Sequence, residues 1–163
     1  MSEAETNKER ILRQLKEAYA LLRKDHHLSP EDILRQLEES EIGIPVTAFS
    51  KELSGLETIT KYLKENQRLE LKLIAQKLNR SYRTIWGAYH TTTHKHPSSL
   101  APSPTPYQIP LSLFSQRKLS VLETITHHLK IHYKLRYSEI DRLLHRDPRT
   151  IRTTEHKAEG KIK

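Results

Sequence analysis

Any chemistry in this chain must come from its histidines, carboxylates and basic side chains, because cysteine is absent from its 163 residues. That absence removes a thiol nucleophile, a disulfide framework and a Cys-based zinc site together. Ten histidines invite a metal reading. His128 and His132 stand at i,i+4 on an expected helix, and His90, His94 and His96 cluster further upstream. No cysteine or well-placed carboxylate completes a tetrahedral set in either group. The histidines therefore read as polar surface, with some imidazoles in position to meet phosphate. Carboxylates are scattered over expected helix faces and form no spaced acid pair of the kind two-metal chemistry needs. The four glycines make no phosphate-cradling loop, dinucleotide fingerprint or nucleophile elbow. The residues imply no catalysis, no metal site and no cofactor.

Binding is what remains, and charge says to what. The formal net charge is +8, split as about −3 over residues 1–43 and about +11 over the rest. A basic body with an acidic head points to a polyanion partner for the body and a different partner for the head. No apolar run approaches a membrane span or a signal-peptide core, so the expectation is a soluble, cytoplasmic, nucleoid-associated protein without a membrane partner. Apolar content of 35%, with one Trp and two Phe, permits modest cores only.

The body is written twice. Ile44-Pro45-Val46-Thr47-Ala48-Phe49-Ser50 returns as Ile109-Pro110-Leu111-Ser112-Leu113-Phe114-Ser115, the run from Leu53 returns from Leu119, and RSYRTI from Arg80 returns as RDPRTI from Arg146. One extra residue near Arg117 keeps the copies in step, with roughly 20 of about 47 paired positions identical. Each copy opens on Ile-Pro, which favours an extended backbone. Ser54 with Glu57, and Ser120 with Glu123, are capping boxes that start a first helix. Leu56, Ile59 and Leu63, or Leu122, Ile125 and Leu129, form its buried stripe. A second, shorter helix carries Ile74 and Leu78, or Ile140 and Leu144. The turn that follows places Asn79 or His145 where positive φ is tolerated. Ser81 and Asp147 then cap a third helix, with Pro148 at its first position.

Ahead of the copies, Ile11, Leu15, Ala18 and Leu22 mark a helix over residues 5–24, close to an a/d seam. Ser29-Pro30-Glu31-Asp32 starts a second, striped by Ile33, Leu34 and Leu37, with Gly43 as its stop. Between the copies, prolines and serines from His94 to Pro106 favour a semi-extended linker. At about 3.1 Å per residue, such a linker could seat two modules in major grooves about 34 Å apart.

Three short helices with a capped turn before the third make a helix-turn-helix. Leu56-Glu57-x-Ile59, Leu69, Ile74-Ala75, Leu78-Asn79-Arg80-Ser81 and Thr84-Ile85 resemble the C-terminal DNA-binding region (region four) of bacterial sigma factors and related simple regulators. Leu122-Glu123-x-Ile125, Leu135, Glu139-Ile140, Leu144, Asp147 and Thr150-Ile151 repeat the resemblance, which covers residues 53–92 and 119–158. It implies that the third helix enters the major groove. Ile85, Ala88 and Tyr89, with Ile151 and Thr154, would then face inward. Tyr82, Arg83, Trp86, Gly87 and His90 would face outward in the first copy, and Pro148, Arg149, Arg152, Thr153 and His156 in the second. Arg83 and Arg149 share the slot best placed for a bidentate hold on guanine. Thr84, Thr150 and the helix-start N–H groups suit phosphate. Lys72, Lys77, Arg80, Arg142 and Arg146 flank them for the DNA backbone.

The chain departs from the family at Glu70 and Arg136, where a small polar cap is usual. It also departs at Glu155, which stands where Tyr89 does and is expected to loosen and fray the third helix of the second copy. Sigma-factor regions that bind polymerase and melt promoters have no counterpart. The fold expected is all-α: a two-helix head over residues 1–43, a helix-turn-helix domain over 44–93, a Pro/Ser-rich linker over 94–108, and a second helix-turn-helix domain with a basic tail over 109–163. The function expected is sequence-selective binding of double-stranded DNA by a transcriptional regulator. Two other readings stay open: an architectural nucleoid protein, and a non-catalytic adaptor whose helix-turn-helix folds bind protein. RNA polymerase or a second copy would be the partner of the N-terminal helices, which otherwise fold against the first repeat.

Overall fold

The computed structural model describes the backbone of residues 3–39 and 41–163, and side chains over 7–34 and 41–163. Among the described residues the chain is mostly helical, with eight α-helices and two three-residue strands. No described helix is long and apolar enough to cross a membrane. Residues 1–40 and 41–163 form two compact units.

The N-terminal unit holds α1 (Glu3–His26) and α2 (Pro30–Glu39). α1 stops at the expected break, where His27 takes a left-handed φ of 52°. Ser29 caps α2 as its type requires: its Oγ accepts from the Asp32 N–H at 3.1 Å and donates to the Asp32 carboxylate at 2.8 Å. Ile11 and Leu15, half of the expected seam on α1, are more than half exposed. The Leu37 side chain lies outside the described residues. Gly43 is not the stop of α2; it opens strand β1 (Gly43–Pro45).

In the larger unit each copy builds three helices from the same local signals. The first has α3 (Gly55–Lys61), continued by a π turn over Tyr62–Asn66, then α4 (Leu71–Lys77) and α5 (Tyr82–Lys95). The second has α6 (Val121–Ile131), α7 (Tyr137–Leu144) and α8 (Pro148–Ile162). Both capping boxes close: Ser54 and Ser120 accept from the N–H groups of Glu57 and Glu123, whose carboxylates reach back to the serine N–H groups at 2.9 and 2.8 Å. Asn79 and His145 both adopt a φ of 51° at the turn before the third helix. Arg68 and Lys134 form a second matched left-handed pair, at 57° each. α4 begins at Glu70 without a side-chain cap, while Glu139 of α7 reaches back to the Arg136 N–H at 2.7 Å. Ile59, Leu63, Ile74, Leu78 and Ile85, and their counterparts Ile125, Leu129, Ile140, Leu144 and Ile151, are all at most 2% exposed. Fully burying side chains of this size contributes about 1.5–3 kcal/mol each.

The two copies share one hydrophobic core. β1 pairs antiparallel with β2 (Gln108–Pro110), placing Ile44 opposite Ile109, Gly43 opposite Pro110 and Pro45 opposite Gln108. Ile44 and Ile109 are equivalent residues of the repeat, so the pairing has twofold character about them. The flanking hydrogen bonds obey it: the Val46 N–H donates to Tyr107 O at 3.1 Å, and the equivalent Leu111 N–H to Ile42 O at 2.8 Å. So does the packing, because the 3-10 turn Val46–Ala48 lies on α7 and the turn Leu111–Ser115 lies on α4. α3 and α6 meet near the same axis at Gly55 and Val121, again equivalent positions. A Cβ on Gly55 would stand 2.4 Å from Val121 Cγ1, so only one copy can carry a side chain there.

This arrangement differs from two modules held apart on a spacer. The intervening segment instead folds back over the first copy. Thr47 Oγ1 donates to Ser103 O at 2.6 Å, Asn66 Nδ2 donates to Leu100 O at 2.9 Å, and the Leu100 side chain packs against the core. Nor is α8 shortened by Glu155. That residue is 1% exposed and lies 2.9 Å from His127 Nδ1, and α8 continues to Ile162 with Ala158 buried. The imidazole supplies a polar partner to Oε1 of this buried carboxylate, while Oε2 has no hydrogen-bond partner among the described residues.

Candidate nucleic-acid interface

The third helices present the polar faces. α5 packs on α3 and α4, and α8 packs on α6 and α7 in the same way, so their inner faces are fixed by Ile85 and Ile151. Ala88 and Tyr89 are half-buried and Thr154 is buried, in agreement with their expected inward facing. Tyr89 donates through its hydroxyl to Glu65 Oε1 at 3.2 Å, and burial beside the Glu65 charge holds its phenol above the usual range.

On the outer face of α5, Tyr82, Arg83, Thr84, Trp86 and His90 are exposed and Gly87 is half-buried. Tyr82, Trp86, His90 and His94 follow at intervals of four, one above another along the helix. The rings of Trp86 and His90 stack at 5.0 Å and 6° apart, and His94 meets His90 edge-on at 5.0 Å. Half of the Trp86 surface stays open to solvent. So open an indole is not part of the core.

On α8, Pro148, Arg149, Thr150, Arg152, Thr153 and His156 are all exposed. The Arg152 guanidinium lies 5.8 Å from the centroid of the Tyr137 ring, close enough for cation–π attraction. The two helix starts differ in charge. Ser81 Oγ accepts from the Thr84 N–H at 3.2 Å, whereas the Asp147 carboxylate accepts from the Arg149 N–H at 2.8 Å. One N–H expected for phosphate is therefore used by a cap in each copy, and Asp147 adds a negative charge beside the second.

The flanking cations separate in the same way. Lys72, Asn79, Arg80, Tyr82 and Arg117 line an open concavity of about 470 Å³ that contains no carboxylate. Arg80 is half-buried there, and its Nε has no hydrogen-bond partner. Arg117, the extra residue of the second copy, thus supplies a cation to the turn of the first. Arg146 is also half-buried, but it lines a smaller cleft with Phe49, Leu53, Leu122 and Leu144. The outward sets are therefore unequal: aromatic and imidazole rings beside a basic concavity in one copy, arginines and threonines in the other.

Reading the sequence alone missed the tie at the far end of each third helix. Lys95 lies 3.1 Å from Glu57, and the equivalent Lys161 lies 2.8 Å from Glu123. Each lysine locks the end of the third helix onto the capping carboxylate at the start of the first. Burial pushes both carboxyls up, but the serine hydrogen bonds and the lysine together hold them below the usual glutamate range. The repeat itself carries this signal, since both members recur at one offset. The histidine clusters, by contrast, resolve into ring stacking: His128 on His132 at 4.7 Å, with Tyr133 edge-on to each.

Comparison with family models, with characterised proteins and with solved structures gave no match.

Proposed function

We propose that the chain binds double-stranded DNA sequence-selectively as a transcriptional regulator. In this reading α3–α5 and α6–α8 are helix-turn-helix units, and α5 and α8 are their recognition helices. One observation carries the proposal: equivalent helices of a duplicated, basic unit expose their polar faces while the matched pairs Ile59/Ile125, Leu63/Leu129, Ile74/Ile140, Leu78/Leu144 and Ile85/Ile151 are buried. Arg83 and Arg149 occupy the same exposed slot near the helix starts, where a guanidinium can fork onto guanine O6 and N7. Lys72, Arg80 and Arg117 suit the flanking phosphates.

The twofold character of the Ile44–Ile109 pairing adds a geometric consequence. Helices related by a twofold read half-sites in inverted orientation, as helix-turn-helix dimers do on palindromes. One chain here supplies both halves, and its outward residues differ between them. The preferred site is then an imperfect inverted repeat rather than a direct repeat. Binding to a 30-base-pair duplex pool between about 50 and 200 mM salt tests the reading, because phosphate contacts make affinity fall steeply over that range. Salt-insensitive or undetectable binding defeats it. Equal affinity for every sequence would select the architectural reading.

The exposed apolar seam of α1 favours a second role for the N-terminal unit. Ile11, Leu12, Leu15 and Leu21 are 44–59% exposed, on a helix whose six basic and five acidic side chains nearly cancel. A protein partner, RNA polymerase or a second copy among them, fits that face better than DNA does.

A further inference from the structure

The repeat makes one surface of the second copy interpretable. In the first copy the chain's own segment after α5 lies over the groove formed by the end of the first helix and the turn before it. Two side chains hold that segment by its backbone, Asn66 on Leu100 O and Thr47 on Ser103 O, while the Leu100 side chain enters the apolar surface. In the same copy Ala48, Leu53, Lys61 and Tyr62 are buried. In the second copy the equivalent residues are Leu113, Leu119, His127 and His128, and all four are only half-buried. They line a cavity of about 320 Å³, rimmed by Ile131 and Ile162, which are 49% and 48% exposed. No described segment covers it as residues 97–106 cover its twin.

The donors that read the backbone are also duplicated. Asn66 corresponds to His132, and Thr47 to Ser112. Both counterparts are exposed, and both carry a hydrogen that can be donated to a carbonyl. We propose that this groove is a peptide-binding site for an extended, proline-containing segment of a partner protein. An aliphatic side chain would fill the cavity, and the carbonyls of that residue and of the third residue after it would accept from His132 and Ser112. Lys118, His127, His128 and His132 line the cavity, but Glu155 lies 2.9 Å from His127 and the Glu41 carboxylate accepts from the Ser112 N–H at 3.0 Å, so the segment is selected by its aliphatic side chain and backbone rather than by charge. The mode is short-peptide recognition in an apolar groove by a low-entropy, proline-stiffened ligand. It does not depend on duplex binding.

The segment already seated in the first copy supplies the probe. A blocked synthetic peptide spanning residues 96–105 of this chain is titrated into the full protein, and isoleucine methyl resonances are followed. Saturable shifts at Ile131 and Ile162, with none at Ile11, are the expected result. Ile131→Glu in the protein, or Leu100→Asp in the peptide, should weaken binding by about 10- to 100-fold, the worth of burying one aliphatic side chain. The Ile131 position is exposed, so an unchanged far-UV spectrum separates lost binding from lost folding. No saturable shift at millimolar peptide overturns the proposal, as does equal binding by the Leu100→Asp peptide. Shifts at Ile131 and Ile162 that depend on protein concentration without peptide would mean that a second copy occupies the groove, and would also overturn it.

Discussion

Replacing Ile109 is the sharpest perturbation of the shared core, because it acts in one copy and can be read in the other. Ile109 is fully buried and faces Ile44 across the β1–β2 pair. Ile→Ala at such a site removes the transfer energy of the lost methyl groups and leaves a cavity, about 2–5 kcal/mol in all. With a urea slope of about 2 kcal/mol/M for a unit of this size, the midpoint should fall by about 1–2.5 M. Should that leave too little folded protein, Ile109→Val costs about 0.5–1.5 kcal/mol and shifts the midpoint by about 0.25–0.75 M. The chain's one tryptophan, Trp86, reports on the first copy alone. Its fluorescence midpoint should move by the full amount, together with amide protection in α6–α8. If Trp86 kept its midpoint while the second copy weakened, the copies would be independent modules and the shared-core account would be wrong.

Other expectations follow from the same geometry. Gly55→Val should destabilise by about 1–3 kcal/mol through overpacking against Val121. Adding Val121→Gly should recover most of that loss in urea melts, since the two positions meet at the axis. Acidification should destabilise in two stages. Burial, with His132 alongside, holds the His128 imidazole below its ordinary 6.5; the unfolded chain then binds the extra proton, and stability falls as pH drops below that value. Glu57 and Glu123 are held below their ordinary 4.5, so their contribution is present above that value and is lost as pH falls through the lowered values. Urea midpoints between pH 8 and 3 check both stages, and Lys95→Ala with Lys161→Ala should flatten the second. On DNA, Arg83→Ala should cost about 1–3 kcal/mol and relax one base position, whereas Lys72→Ala should weaken all sequences alike and lower the salt slope by about 1; competition assays on specific and random duplexes separate the two.

What the sequence displayed was what is decided locally. Capping at Ser54 and Ser120 needs partners only three residues away. The left-handed turns at Asn79 and His145 need only a tolerant residue, and the buried stripes need only helical spacing. What it hid depends on partners distant along the chain. Strands of three residues have no period to detect, so Ile-Pro reads as extended without revealing that each copy pairs with the other. Glu155 looks like a defect until His127, 28 residues earlier, is found beside it. Gly43 carries a helix-stop signal that the β1–β2 pairing overrides. A proline- and serine-rich stretch reads as a spacer by composition, and only contacts with Thr47 and Asn66 turn it into a covering strap. Of the outward residues, exposure was foreseeable from the inward ones. The unequal flanks were not, because Arg117 reaches the turn of the first copy only through the exchange of packing between copies.

Selection of bound sequences from a random duplex pool by the full chain tests the central claim most directly. The account predicts one bipartite motif whose halves are related but unequal and inverted with respect to each other, lost when Arg83 and Arg149 are both changed to Ala. Recovery of no motif, or of two halves in direct orientation, would contradict it.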